Sequence, residues 1–365
     1  MPKPGQARRR VPSAMVAVPE QDGVDLKKNI KKQSHATISD VARQAGVGKT
    51  SVSRYLNGEL QLLSEDLRSR IGAAIKALDY RPSQSARALK AGRSKLIGLV
   101  LADITNPYSI GVLRGVEKIC NEAGYMLMVC NTNNEPEQQN RYLALLSSHR
   151  VDGVIINSVG MSDESLQAFA DIDCPFVFVD RKSAGFDCDV VGLDNRQAMN
   201  IAAAHLIEQG YESILFLTQS LAIDTRSERL RALREFVGDE PGMSCSHFEF
   251  TKEEQQVDHA IADFVAANRG LKKAIVTANG VVTMITAKAL KRLRIDWGTQ
   301  IGLLSVDDLD WAELPGTGIT SVRQPNQLIG ETACTLLLRR IEGDTGAPEA
   351  HLYPAELVIR GSTAM

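Results

Sequence analysis

The sequence has few aromatic residues and few cysteines, and it contains no long apolar run. Aromatic residues make up 5% of its 365 positions, and its six cysteines occur without CxxC or Cys/His spacing. This usage argues against a disulfide framework or a zinc site and suits buried thiols in a reducing cytoplasm. No stretch approaches ~18 consecutive apolar residues, so no membrane span is expected. The N-terminus has basic residues but no apolar segment before a cleavage site, which predicts no secretory signal.

Residue patterns that support catalysis are also missing. The sequence has no Ser/His/Asp order, no glycine loop that could hold phosphates and no metal-ligand spacing. Asp307 and Asp308 follow an apolar run, but no His or Glu accompanies them at a useful spacing. We therefore predict no catalytic residue, no metal and no cofactor. Two functional classes nevertheless stay open as alternatives: an enzyme, and a sugar-binding protein that acts on its own.

Charge is distributed unevenly along the chain. The formal net charge of −2 arises from 42 basic and 44 acidic side chains, but residues 1–95 carry +11 and the remainder −13. Such asymmetry is expected where one module meets a polyanion, although a solvated basic tail would give the same count. Residues 1–35 mix Pro, Gly, Gln and charge without periodicity, which predicts a disordered basic extension.

A small helical module follows this extension. Apolar residues recur at helical spacing after Thr37, which can cap the first helix, and a short turn, Gly46-Val47-Gly48, precedes a polar second helix. Two short helices joined by a tight glycine turn predict a helix-turn-helix, whose polar second helix can enter a DNA major groove. A third helix is predicted from Ser64 to before Pro82. Residues 36–82 are therefore predicted to form an all-α helix-turn-helix domain.

Specific strings within this module resemble a known family. Residues 38–47 (ISDVARQAGV), 51–57 (SVSRYLN) and 78–82 (LDYRP) are similar to the DNA-binding headpiece of the LacI family of bacterial transcription regulators, and the similarity continues in register almost to the C-terminus. The family usually has Ser at the position of Gly48. The resemblance implies base contacts from Lys49, Thr50 and Arg54, and phosphate contacts from Thr37, Ser53 and Asn57. Capping is the structural alternative for Thr37 and Asn57.

Residues 83–94 resemble the hinge helix and linker of the same family. The resemblance implies that Leu89 inserts into a minor-groove step, with Arg87 and Lys90 beside it. A free helix of this length is marginal, so we expect disorder away from DNA. An ordinary linker is the alternative.

The body of the chain alternates apolar runs with amphipathic helices. This alternation predicts an α/β core with parallel sheets covered on both faces, and ligands in such sheets bind beyond the carboxyl ends of the strands. The predicted strands are 96–102, 125–130, 153–157, 176–180, 214–218, 274–277, 301–306 and 354–359, and the predicted helices are 110–123, 137–149, 198–209 and 281–293.

The family resemblance implies two lobes like those of periplasmic sugar-binding proteins. One lobe is expected at residues 95–193 plus 324–353, and the other at residues 194–323 plus 354–365. The implied effector contacts are Asn106, Tyr108, Asp180, Arg181, Arg229, Asn279 and Gln324. Each also has a plain structural alternative, such as a helix cap or a surface charge.

One departure from the family pattern bears on the effector. The family usually has Asn-Asp where this chain has Asn279-Gly280, and that Asp accepts hydrogen bonds from neutral sugars. With Arg181 and Arg229 retained and Arg226 one helical turn away, we expect a positive pocket and an anionic ligand such as a sugar acid. The chain is similar to the ketogluconate and gluconate utilisation repressors of this family, which suggests 2-ketogluconate as inducer. The alternatives to a sugar-acid inducer are a neutral sugar and a corepressor. The alternative for Gly280 is a position outside the pocket.

A single helix-turn-helix reads too few base pairs alone. We therefore expect a homodimer on a pseudo-palindromic double-stranded operator. No leucine heptad follows the last predicted strand, so we expect no tail-mediated tetramer. The predicted function is sequence-specific repression controlled by a small effector in a cleft between the lobes.

Overall fold

The computed structural model describes residues 36–81, 93–157, 174–180, 187–251 and 254–364. The chain divides into two compact units, residues 1–83 and 84–365. The predictions for the extension at 1–35, for the hinge residues Arg87, Leu89 and Lys90, and for Arg181 fall outside the described residues.

The first unit contains three short helices: α1 (Ile38–Ala45), α2 (Lys49–Leu56) and α3 (Glu65–Ala77). Thr37 begins α1 through a capping box in which its hydroxyl accepts from the Asp40 N–H and its own N–H donates to the Asp40 carboxylate at 2.9 Å. A 3₁₀ turn, Leu60–Leu62, precedes α3. Small and branched side chains share one buried core: Val41, Ala42, Ala45, Val52, Leu63, Ile71 and Ala74. The three predicted helices are confirmed.

The second unit is a mixed α/β structure. Its helices within the described residues are α4 (Pro107–Glu122), α5 (Pro136–Ser148), α6 (Asn195–Glu208), α7 (Asp224–Gly238), α8 (Gln255–Ala267), α9 (Gly280–Leu293) and α10 (Asn326–Ile341). Its strands are β1 (Leu96–Leu101), β2 (Met126–Asn131), β3 (Gly153–Ile156), β4 (Phe176–Val179), β5 (Asp189–Leu193), β6 (Ser213–Thr218), β7 (Ser244–Glu249), β8 (Lys273–Thr277), β9 (Gly302–Val306), β10 (Thr320–Arg323), β11 (Ala350–Tyr353) and β12 (Glu356–Val358).

These strands form two six-stranded sheets, one in each lobe. The first has the order β11-β5-β4-β3-β1-β2, and the second has the order β12-β10-β9-β8-β6-β7. All pairings are parallel except that of β12 with β10. The chain passes from one sheet to the other after β5, after β10 and after β11. A helix-turn-helix headpiece with a two-lobed core of largely parallel sheets is therefore confirmed.

Strand prediction succeeded for the central strands, but it missed the edge strands β7 and β11 and the two strands next to an edge, β5 and β10. The central strands β1, β3, β8 and β9 are almost wholly buried and read as continuous apolar runs. The unpredicted strand β7 lies at a sheet edge, and its SCSHFE sequence has no apolar run. Strands β5, β10 and β11, and helices α8 and α10, are further elements that the sequence patterns do not predict.

A buried ion pair joins β5 to α10 in the first lobe. The Arg340 guanidinium donates from Nε and Nη2 to the two carboxylate oxygens of Asp189, at 2.7 and 2.8 Å, and the backbone N–H of Glu349 donates to Asp189 at 2.8 Å. The Asp189 side chain is 3% exposed. Burial raises the pKa of Asp189, but the Arg340 hydrogen bonds, the Glu349 N–H and the nearby guanidinium charges outweigh it and hold the pKa below its ordinary value.

The described helices include none that combines the length and the apolar character needed to cross a bilayer.

Candidate DNA-reading helix and effector cleft

The residues predicted to contact DNA lie on one face of α2 and at its ends. Lys49, Thr50 and Arg54 are exposed, Ser53 is half-buried, and Asn57 is exposed at the C-cap. On the opposite face Val52 is fully buried in the headpiece core. The packing of α2 therefore leaves its polar side chains available, as a helix that enters a major groove requires.

The first turn of α1 has a side-chain cap, whereas the first turn of α2 has none. The Thr37 hydroxyl accepts from the Asp40 N–H at 3.3 Å and donates to the Asp40 carboxylate at 2.7 Å, so its capping role is observed while its phosphate contact stays a prediction. Gly48 is the N-cap of α2 and supplies no side-chain hydrogen bond. The serine contact that the family usually makes here is absent from this chain.

In the second lobe, Arg229 is held rigidly at the carboxyl edge of the sheet. Its side chain is only 4% exposed, yet it carries a full charge. Nε donates to Asn195 Oδ1 at 2.7 Å, and Nη1 donates to the Ala278 carbonyl at 2.7 Å. Nη2 donates to none of the residues that the structure describes. A fixed guanidinium with an unused donor group is well suited to a carboxylate or hydroxyl ligand.

Asp307, at the end of β9, is the central acidic group of this edge. It is 3% exposed, its carboxylate accepts from the Gly280 N–H at 2.8 Å, and it also accepts from the Gln324 side-chain amide. Burial raises the pKa of Asp307, the charge of Arg229 acts in the opposite direction, and the charge of Asp180 adds to the increase. Asp180 belongs to the first lobe, so carboxylates from both lobes interact here.

The structure brings together only some of the predicted effector contacts. Gln324 donates to Asp307, and the charges of Arg229 and Asp180 both act on the pKa of Asp307. Gln324 Oε1 is buried and accepts no hydrogen bond within the described part of the chain. It therefore remains able to accept one from a ligand hydroxyl.

The two asparagines and the tyrosine have structural partners of their own. Asn106 Oδ1 accepts from the Tyr108 N–H at 3.1 Å and caps α4, while Asn279 Oδ1 accepts from the Val282 N–H at 3.0 Å and caps α9. Tyr108 is 5% exposed and belongs to the apolar core of the first lobe. Their effector contacts stay predictions.

Gly280 lies against the acidic group that follows β9. A Cβ at this position would lie 2.6 Å from Leu309 Cδ2 and 3.3 Å from Asp307 Oδ2, so the glycine permits the close approach of Asp307. The family's usual Asp is absent from position 280, but the carboxylate of Asp307 accepts from the Gly280 N–H, so an acidic group still lies at this part of the cleft. Asp307, like Asp180, directly follows a buried strand, which is where ligand contacts are expected in parallel sheets.

The described residues of the cleft carry both acidic and basic side chains, so the positive pocket stays a prediction. Asp180 and Asp307 contribute two carboxylates, and Arg229 contributes one guanidinium. Arg226 donates to Gln219 Oε1 at 2.9 Å and to the Ser220 carbonyl at 3.3 Å, which ties it to the loop after β6. Any excess of positive charge must come from Arg226 and from Arg181. Within the described ranges, no group of three or more His, Cys, Asp or Glu side chains could hold a metal ion.

Two family models match the chain. Residues 37–83 match the model of bacterial regulatory proteins of the lacI family, and residues 94–360 match the model of periplasmic binding proteins and the sugar binding domain of the LacI family. This chain belongs to the LacI family. The resemblance seen in the headpiece motifs is thereby confirmed over both units.

Full-length relatives agree with this assignment. The chain is 42% identical over 339 residues to the HTH-type transcriptional regulator PtxS of Pseudomonas aeruginosa, which covers 92% of this chain and 97% of that protein. It is 38% identical over 335 residues to the HTH-type transcriptional regulator KdgR of Bacillus subtilis, covering 91% and 99%. This LacI-family chain is accordingly a transcriptional regulator with a DNA-binding headpiece and an effector-binding core.

Solved structures show the same fold. The lac repressor dimer bound to operator and the anti-inducer ONPF superposes with a TM-score of 0.75 at 22% identity, covering 90% of this chain and 99% of that one. The transcriptional regulator CelR in complex with cellobiose gives a TM-score of 0.65 at 25% identity, covering 90% and 99%.

Proposed function

We propose that this LacI-family regulator is a homodimeric, cytoplasmic repressor that a sugar acid releases from a pseudo-palindromic operator. In this proposal α2 reads the operator, and the effector binds between the two lobes of the core. The regulator itself responds to this ligand and catalyses no reaction. Ligand and operator then affect each other's affinity reciprocally, because each favours a different arrangement of the same molecule.

The buried guanidinium of Arg229 carries the proposal for the effector. Its Nη2 can donate to an anionic ligand, while Asp307 and Gln324 Oε1 offer acceptors for hydroxyl groups. A polyhydroxylated carboxylate matches both kinds of partner, and 2-ketogluconate is the first candidate. A neutral sugar is the second candidate, and the carboxylates of Asp180 and Asp307 favour it because they accept hydroxyl donors.

Calorimetry with matched ligands tests the effector class. We expect 2-ketogluconate and gluconate to bind at least about tenfold more tightly than glucose, because charge-assisted hydrogen bonds to a buried guanidinium are roughly twice as strong as neutral ones. The three ligands have similar hydroxyl content, so glucose is the control for the carboxylate. Tighter binding of glucose would contradict the sugar-acid proposal and favour the neutral sugar.

Two substitutions on α2 test how DNA is read. Arg54→Met should relax base preference at one operator position and weaken operator binding by about 1–3 kcal/mol, whereas Asn57→Ala should weaken all sequences alike. Fluorescence anisotropy with the preferred duplex, selected from a random pool, and with single-base variants measures both effects. A uniform loss for Arg54→Met with unchanged base preference would place Arg54 on the phosphates.

A further inference from the structure

The turn between α1 and α2 is held by one side chain from α3. Arg70 donates to the Ala45 carbonyl from Nε at 3.1 Å and from Nη2 at 2.7 Å, and Nη2 also donates to the Gly46 carbonyl at 3.0 Å. Carbonyls at the end of a helix have no partner within that helix. Arg70 therefore satisfies the end of α1 at the point where the chain turns into α2.

The geometry of this contact requires a guanidinium. Asp66, one turn earlier on α3, accepts from Nη1 at 3.4 Å and orients the planar group. Gly46 has a left-handed φ of 61°, and a Cβ there would lie 2.7 Å from Arg70 Nη2. A lysine has a single ammonium group and cannot reproduce the forked contact with two successive carbonyls.

Helix α2 has few other means of fixing its own start. It contains eight residues, its N-cap Gly48 supplies no side-chain hydrogen bond, and Val52 is its one fully buried residue. Farther along α2, the Tyr55 hydroxyl lies against Gly72 of α3, where a Cβ would be 2.9 Å away. The turn that Arg70 holds thus sets where the polar face of α2 begins.

We propose that Arg70 is a positioning residue for operator recognition, acting through the α1–α2 turn and not through contact with DNA. This inference rests on the proposed assignment of α2 as the helix that reads bases. Base edges are read by directional hydrogen bonds, whereas non-specific affinity comes mainly from electrostatic attraction to phosphates. A small rotation of α2 should therefore weaken sequence specificity more than general DNA affinity.

The test compares Arg70→Met with Lys76→Met in the full chain. Lys76 is exposed on the same helix, so its substitution removes an equal charge without touching the turn. We expect Arg70→Met to weaken operator binding roughly 10- to 100-fold, the effect of losing a few hydrogen bonds to a charged donor. Binding to a random duplex should fall no more than for Lys76→Met, and both variants should keep the same salt dependence. Anisotropy titrations at several salt concentrations measure these quantities.

Several outcomes would overturn the proposal. Equal losses on operator and random DNA, with the salt slope reduced by about one relative to Lys76→Met, would mean that Arg70 holds a phosphate directly. An unchanged operator affinity would mean that the turn holds α2 without Arg70. If Lys49→Met, Thr50→Val and Arg54→Met all leave base preference unchanged, the assignment of α2 fails, and that failure is distinct from failure at Arg70.

A second variant keeps the test valid if Arg70→Met unfolds the headpiece, as judged from circular dichroism at 222 nm. Arg70→Lys keeps the charge and one donor group, so we expect a folded headpiece with an operator-to-random affinity ratio below that of the unsubstituted protein. A ratio equal to that of the unsubstituted protein would contradict the positioning role.

Discussion

Replacing Arg229 with methionine is expected to abolish the response of operator binding to sugar acids while preserving operator binding in their absence. The substitution removes from the cleft the buried guanidinium and its Nη2 group, which donates to none of the described residues. We expect sugar-acid affinity to fall by about 100-fold or more, since a buried charge-assisted hydrogen-bond pair contributes roughly 2–3 kcal/mol or above. Calorimetry gives the affinity, and anisotropy of labelled operator with increasing ligand gives the response.

Arg231 provides the matched control for this substitution. It lies on the same helix, its side chain is 64% exposed, and it pairs with Glu235 on the surface. Arg231→Met should bind the ligand as the unsubstituted protein does. Arg229→Lys should lose an intermediate amount of affinity, because the charge remains and the fork is lost. Unchanged sugar-acid binding by Arg229→Met would remove this residue from effector recognition.

Breaking the Asp189–Arg340 pair is expected to produce the largest loss of stability. Arg340→Met leaves the carboxylate of Asp189, which is 3% exposed, without its guanidinium partner, and an unpaired buried charge typically costs about 3–5 kcal/mol. Asp189→Asn should cost less, because Arg340 is 14% exposed and still donates to the Gly346 and Ala347 carbonyls. Because the pair is coupled, the double variant should be destabilised by less than the sum of the single changes. Urea unfolding followed by circular dichroism measures these free energies. Additive losses would show that the two groups act independently.

The same pair predicts a dependence on acidity. The folded-state pKa of Asp189 is lowered from 3.8, so the ionised carboxylate stabilises the fold fully above that value. This contribution is lost as the pH falls below 3.8 and through the lower folded-state pKa. The stability difference between the unsubstituted protein and Asp189→Asn should therefore shrink in that acidic range. A constant difference would assign the stabilisation to packing instead of charge.

The headpiece could be predicted in detail because its determinants are local. Thr37 caps the helix that starts at the next residue, and Ala42 and Ala45 fall at the spacing that places them in the core. Buried central strands such as β3 are also recognisable from their own composition. The edge strand β7 is not, because its SCSHFE sequence forms a strand only through pairing with β6.

The cleft could be predicted only in part, because its contacts join distant segments. The substitution pattern at Gly280 suggests a lost acidic group, whereas the structure places the carboxylate of Asp307 on the N–H of that glycine. Arg229 is recognisable from the family motif, but its bond to Asn195 joins residues on two different helices. Such relations depend on tertiary packing, which residue spacing along one segment does not specify.

The matching strand orders of the two sheets give the cleft an internal near-symmetry. Asp180 follows β4 and Asp307 follows β9, the third strand in each order, and both have left-handed φ values, 72° and 81°. Each donates its backbone N–H to the neighbouring strand, to Val191 and Val322. Among the described residues, Arg229 of the second lobe contributes a guanidinium charge that acts on Asp307, and the first lobe contributes none. A ligand with unlike ends should therefore bind in one orientation, so that stereoisomers differing at a single hydroxyl can be told apart.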